Sequence, residues 1–126
     1  MAVPNDRKYR ETHEWFKADG NVVTVGVSQF AADELTDVTY VDLPEVGAAL
    51  EPDGQLGEVE SVKATSDLYS AVGGKVVEIN TRLTDEPELV NNDPFGDGWM
   101  VKIECDDLAP LEKLMDGPAY DRQIGY

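Results

Sequence analysis

Cysteine occurs once in these 126 residues, and so does histidine. With Cys105 alone, no internal disulfide can form. Cys105 and His13 together supply too few ligands for a Cys/His metal site, so no metal is expected. Cations are scarce too: ten Lys and Arg stand against 26 Asp and Glu, a formal net charge of −16 at pH 7. A chain this short of basic patches is not built to grip phosphates, which excludes nucleic-acid binding. No hydrophobic run approaches the roughly 20 apolar residues of a membrane span, so no membrane partner is expected. The first residues, Met1 to Arg7, lack the apolar core of a secretory signal, and little room precedes the first motif for a transit peptide. A cytoplasmic location is the expectation. No low-complexity tract or linker divides the chain, which reads as one domain over 1–126. Its ends, 1–8 and 118–126, read as flexible or peripheral.

What is present is a series of brief strand patterns cut by turn residues. Asp19-Gly20 marks a hairpin, and the valines of 22–27 read as a buried strand with Gly26 at a close backbone approach. Ser28 is placed to cap a helix through Leu35, with Phe30, Ala31 and Leu35 on its apolar face. Strands follow over 38–43 and 75–80. Asp85 and Glu88 read as a capping box. A last strand spans 99–104, where alternation puts Cys105 with Val101 and Ile103 as a buried, inert thiol. The last helix starts near Asp107 and stops at Gly117-Pro118. The fold class is therefore all-β with short peripheral helices, a barrel or sandwich.

The most informative stretch runs from Gly57 to Gly74, two extended arms around Lys63. Gly57 and Gly73-Gly74 punctuate its outer ends. A tight turn near Val62-Lys63 projects one amine from its tip, amid Glu58, Glu60 and Asp67. Read alone, a lysine in that setting is simply solvated. Enzyme chemistry finds little else to use. Acid–base catalysis needs shifted groups converging in a cleft, and His13 beside Glu14 and Trp15 reads more simply as structural. Gly73-Gly74 is a turn and not a phosphate loop.

Glu60-Ser61-Val62-Lys63-Ala64-Thr65-Ser66-Asp67 resembles the lipoyl-lysine motif of the glycine cleavage system H proteins. The resemblance continues in His13-Glu14-Trp15, Val25-Gly26-Val27-Ser28, Val41 to Gly47 and Asn92 to Met100, in family order. It implies a barrel-sandwich hybrid whose two similar halves here are Val22–Leu43 and Gln55–Asn80. It implies a non-catalytic carrier with lipoic acid joined covalently to Lys63, recognised through Glu60, Ser61, Val62 and Ala64. The implied partners are the pyridoxal-phosphate glycine decarboxylase, the tetrahydrofolate-dependent aminomethyltransferase, lipoamide dehydrogenase and a lipoate ligase or lipoyl transferase. The first loads an aminomethyl group, the second removes its one-carbon unit, and the third reoxidises the dithiol.

In such a carrier the loaded arm rests in a cleft, and the matching positions are Glu14, Asp67 and Thr12. A carboxylate there can hold a cationic amine by a charge-assisted hydrogen bond. Glu14 and Asp67 are expected to protect the loaded arm more than they support folding, the alternative being plain solvated surface charge. Two positions depart from the family pattern: Ala71 replaces a usual Pro, and Thr36 a usual Gly. Rival readings remain. Lipoyl domains of 2-oxo-acid dehydrogenases carry Asp before the lysine and a flexible linker, and biotin carriers flank it with Met, whereas Val62 and Ala64 stand here. An unmodified interaction module is the third.

Overall fold

The computed structural model describes residues 3–125. The first elements are β1 (Lys8–Tyr9), β2 (Glu14–Asp19), β3 (Val22–Val27), α1 (Gln29–Leu35), β4 (Val38–Asp42) and β5 (Ala49–Leu50). Then come β6 (Gln55–Ser61), β7 (Thr65–Tyr69), β8 (Gly74–Ile79), α2 (Arg82–Asp85) and α3 (Leu89–Asn92). The chain closes with β9 (Val101–Glu104), α4 (Ala109–Glu112) and α5 (Gly117–Ile124). A six-stranded sheet, β1-β2-β3-β9-β8-β5, faces a three-stranded one, β4-β6-β7. The segments read as two halves each contribute strands to both sheets.

Alternation builds the core between them. Phe16, Val23, Val25, Val101 and Ile103 from the larger sheet meet Val38, Val41, Leu56, Val59 and Leu68 from the smaller. Each such side chain contributes on the order of 1.5–3 kcal/mol by leaving water. Cys105 is buried with them, and burial pushes its thiol up to about 11, which leaves it unreactive. Gly26 faces Trp15 across the β2–β3 ladder, where a Cβ would stand 2.6 Å from the indole. The close approach is therefore to a ring that needs the space. Ser28 caps α1 as its position requires, accepting the Ala31 N–H at 3.2 Å. Thr36, just after that helix, has φ 61 and ψ −143. That conformation suits glycine, the residue that the resemblance leads one to expect there.

Of the two alternatives for the terminal segments, flexible or peripheral, the described residues take the second, pinned to the body, while two other local readings need correction. β1 pairs with β2, and Val3 N–H reaches the Asp121 carboxylate at 3.0 Å. Tyr9 and Tyr120 are fully buried and stacked 4.7 Å apart. For residues 1, 2 and 126 the expectation lies outside the described residues. Asp85 caps nothing: α2 ends there, α3 starts after Glu88, and neither has a side-chain cap. Gly117-Pro118 starts a helix and does not stop one, with Asp116 accepting the Ala119 N–H at 2.9 Å. Proline suits that first turn because its missing N–H would have no partner there.

The outer face of the small sheet is acidic. Asp42, Glu58 and Asp67 stand directly opposite one another across β4, β6 and β7. No ion pair among the described residues involves them. Like charges in facing positions oppose the pairing, and salt relieves the cost by screening.

Candidate functional site

Lys63 is exposed on the Val62-Lys63-Ala64 tip between β6 and β7. Ser61 shapes the tip. Its Oγ accepts the Lys63 and Ala64 N–H groups at 3.3 and 3.1 Å, and its N–H donates to the Ala64 carbonyl at 2.8 Å. Val62 N–H reaches the Asp37 carbonyl at 3.1 Å, tying the tip to the start of β4. The amine therefore extends from a backbone that is already fixed. Val62 is 67% exposed, an apolar surface beside the lysine, and Glu60 and Ala64 are also exposed.

Two spaces open beside this hairpin. One is a cleft of about 360 Å³, walled by Val27, Phe30, Ala31, Leu35 and Leu68, with Glu34 at its edge. The other is an open groove of about 450 Å³ bordered by Glu11, Thr65, Asp67 and Tyr69. Thr12, His13 and Ser66 line both. They form the passage from one to the other, and Ser66 lies three residues beyond Lys63 on β7. The sequence showed α1 as amphipathic but held no sign that Phe30 and Ala31 would face a cleft while Ala32 enters the core and Leu35 serves both.

The structure places Thr12 and Asp67 on this groove but Glu14 beneath it. Glu14 is 1% exposed, so it is not a surface carboxylate. One oxygen accepts the Thr12 hydroxyl and the other accepts the Tyr69 N–H at 2.7 Å. Arg10 donates to the same Thr12 hydroxyl at 2.7 Å and lies over the Tyr69 ring. The chain Arg10–Thr12–Glu14–Tyr69 thus joins β2 to the end of β7. Asp67 stays exposed, held loosely by Gln55 at 3.3 Å. Thr12 stands between Glu14 and solvent, so Glu14 acts on the groove by orienting that hydroxyl.

This burial overturns the expectation that Glu14 matters little to folding. Truncation to alanine orphans the Tyr69 N–H, a loss of about 1–3 kcal/mol. Burial pushes the Glu14 carboxyl above its ordinary value of 4.5, against the hydrogen bonds from Thr12 and Tyr69 and the charge of Arg10. The folded chain therefore holds that proton more tightly than the unfolded chain. Glu14 favours folding most below pH 4.5, and that contribution is lost as pH rises through the raised folded value. Glu14→Gln removes the charge; its carbonyl oxygen can still accept the Tyr69 N–H, while its NH2 must donate to the Thr12 oxygen in place of accepting the hydroxyl. Its melting temperature should gain on the parent's as pH rises from about 4 to 7. Paired melts across that range check this, and a constant difference would contradict it.

His13 sits in the passage with φ 82, a backbone region that disfavours non-glycine residues. Its N–H donates to the Arg10 carbonyl and its carbonyl accepts the Ser28 N–H, both at 2.9 Å. Its Nδ1 lies 2.6 Å from the Tyr120 hydroxyl, which lies 2.7 Å from Ser28 Oγ. The contribution of α5 to this wall was not legible, because residues 118–126 read only as a flexible or peripheral end. No group of three or more His, Cys, Asp or Glu among the described residues could hold a metal. Among the described residues, no helix is long and apolar enough to cross a membrane.

Residues 7–125 match the family model described as glycine cleavage H-protein. A glycine cleavage system H protein of Symbiobacterium thermophilum is 52% identical over 119 residues, spanning 94% of this chain and 93% of its own length. One from Bacillus cereus is 50% identical over 120 residues, spanning 95% and 94%. The crystal structure of an H protein from Mycobacterium marinum superposes with a TM-score of 0.90 at 35% identity, over 98% of this chain and 100% of that one. The all-β, barrel-sandwich reading of the fold is borne out by that superposition.

Proposed function

The chain belongs to the glycine cleavage H-protein family, and we propose that it serves as the lipoyl-bearing aminomethyl carrier of that system, with Lys63 as the attachment point. The observation that carries the assignment to Lys63 is the tip itself. An exposed amine stands on a backbone fixed by Ser61 and Asp37, with small neighbours that leave a modifying enzyme room. A lipoate ligase or lipoyl transferase would read Glu60, Ser61, Val62 and Ala64 around it. Lipoic acid, once attached, supplies a disulfide that opens to accept cargo and is restored by oxidation. The apolar walls of the 360 Å³ cleft suit that group.

The chain's own residues bind and shield; they do no chemistry of their own. Thr12 and Asp67 offer oxygens to a cationic amine in the groove, and Glu14 orients Thr12 from below. Bond making and breaking then falls to the pyridoxal-phosphate decarboxylase and the tetrahydrofolate-dependent aminomethyltransferase. Lipoamide dehydrogenase takes the electrons. The carrier works as one domain, in the cytoplasm as suits its bacterial relatives. Reconstitution with those three enzymes tests the reading: glycine-dependent NADH formation should require the lipoylated chain. A lipoylated chain that supports none would contradict it.

A further inference from the structure

His13 is the one histidine of the chain, and three independent features converge on it. Its backbone is held in the left-handed region by hydrogen bonds on both sides, to Arg10 and to Ser28. Such outliers persist only where their surroundings over-determine them, and they gather at functional positions. Its ring is pinned through Nδ1 on the Tyr120 hydroxyl, which is shared with Ser28, the residue that caps α1. It borders both the apolar cleft and the polar groove. Anything passing from the groove into the cleft meets this imidazole.

We propose that His13 is the positioning residue of that passage: while neutral it lets the cationic aminomethyl cargo on the Lys63 arm stay docked, and when protonated it drives that cargo out. The inference rests on the carrier reading above. The charged groups around the ring are Glu34 from α1, Asp67 from β7, and Arg10, Glu11 and Glu14 from its own segment; the Tyr120 hydroxyl comes from α5. Burial pulls the imidazole below its ordinary value of 6.5, with Glu34 acting in the opposite direction, so the resting ring is neutral at pH 7. A docked ammonium beside it disfavours a second positive charge. By reciprocity, a protonated ring disfavours the docked ammonium by the same factor. The unloaded lipoyl arm is uncharged and lacks this coupling.

A single histidine gives a single imidazole Cε1 resonance, which NMR can follow from about pH 5 to 8. The lipoylated chain is titrated unloaded, and again after loading by the decarboxylase with glycine. Methyl resonances of Val27 and Leu68 report whether the arm occupies the cleft. Loading should lower the His13 midpoint by about one pH unit, a roughly tenfold coupling. In Tyr120→Phe, which keeps the ring but not the hydroxyl, that difference should fall by at least about half. Shifted methyls with an unmoved His13 midpoint would overturn the inference alone. Unmoved methyls would overturn cleft docking itself, and this inference with it. An undiminished difference in Tyr120→Phe would refute the pinning.

Discussion

Lys63→Arg yields a chain that folds as before, carries no lipoyl group and supports no glycine cleavage. The fold survives because the tip takes its shape from Ser61 and from the Val62–Asp37 bond, none of which uses the lysine side chain. A substitution at so exposed a position shifts stability by no more than about 0.5 kcal/mol. Function is lost because a guanidinium stays charged and does not form the stable amide that holds the group. In the reconstituted system, activity should fall by at least about 100-fold, to the level without carrier, since no other group on the protein takes up the cargo. Lipoylation that persists in Lys63→Arg, on Lys75 or elsewhere, would contradict the assignment.

Gly57→Ala is the substitution expected to harm the fold most. A Cβ at residue 57 would stand 2.2 Å from the Asp42 carbonyl oxygen and 3.3 Å from its carbon. Both are backbone atoms, so no side chain can swing aside. Relief requires β4 to move off β6, opening the register that sets Val41 against Val59. We expect a loss of about 3 kcal/mol or more, at the upper end of single-substitution effects. That corresponds to a fall in melting temperature of roughly 10 °C or more. Amide exchange at Val41 and Val59 should accelerate with it. A loss under about 1 kcal/mol would show that the two strands yield more readily than their backbone contact implies.

That glycine also marks where sequence reading runs short. Gly57 read as punctuation at the end of a hairpin arm, yet it lies within β6 and is needed for a strand distant in sequence. Local pattern shows a missing side chain; it does not show what fills the space. The lysine hairpin, the β2–β3 turn and the Ser28 cap were legible because each is set by residues a few positions apart. β1 was not, since its two residues become a strand only by pairing with β2. Gly117-Pro118 suits a helix end as well as a helix start, and Asp116 decides between them. The burial of Glu14 was not legible because its partner Tyr69, 55 residues away, is brought to it only by the fold. Cleft residues found through the family motif were thus placed near one another, but their burial and order were not.

The central claim is that Lys63 carries a lipoyl group, and peptide mass mapping of the native protein tests it most directly. We predict a single lipoyl increment on the peptide containing Lys63, with Lys8, Lys17, Lys75, Lys102 and Lys113 unmodified. A biotinyl increment, an increment on another lysine, or an unmodified Lys63 in protein from cells that make lipoate would contradict the account.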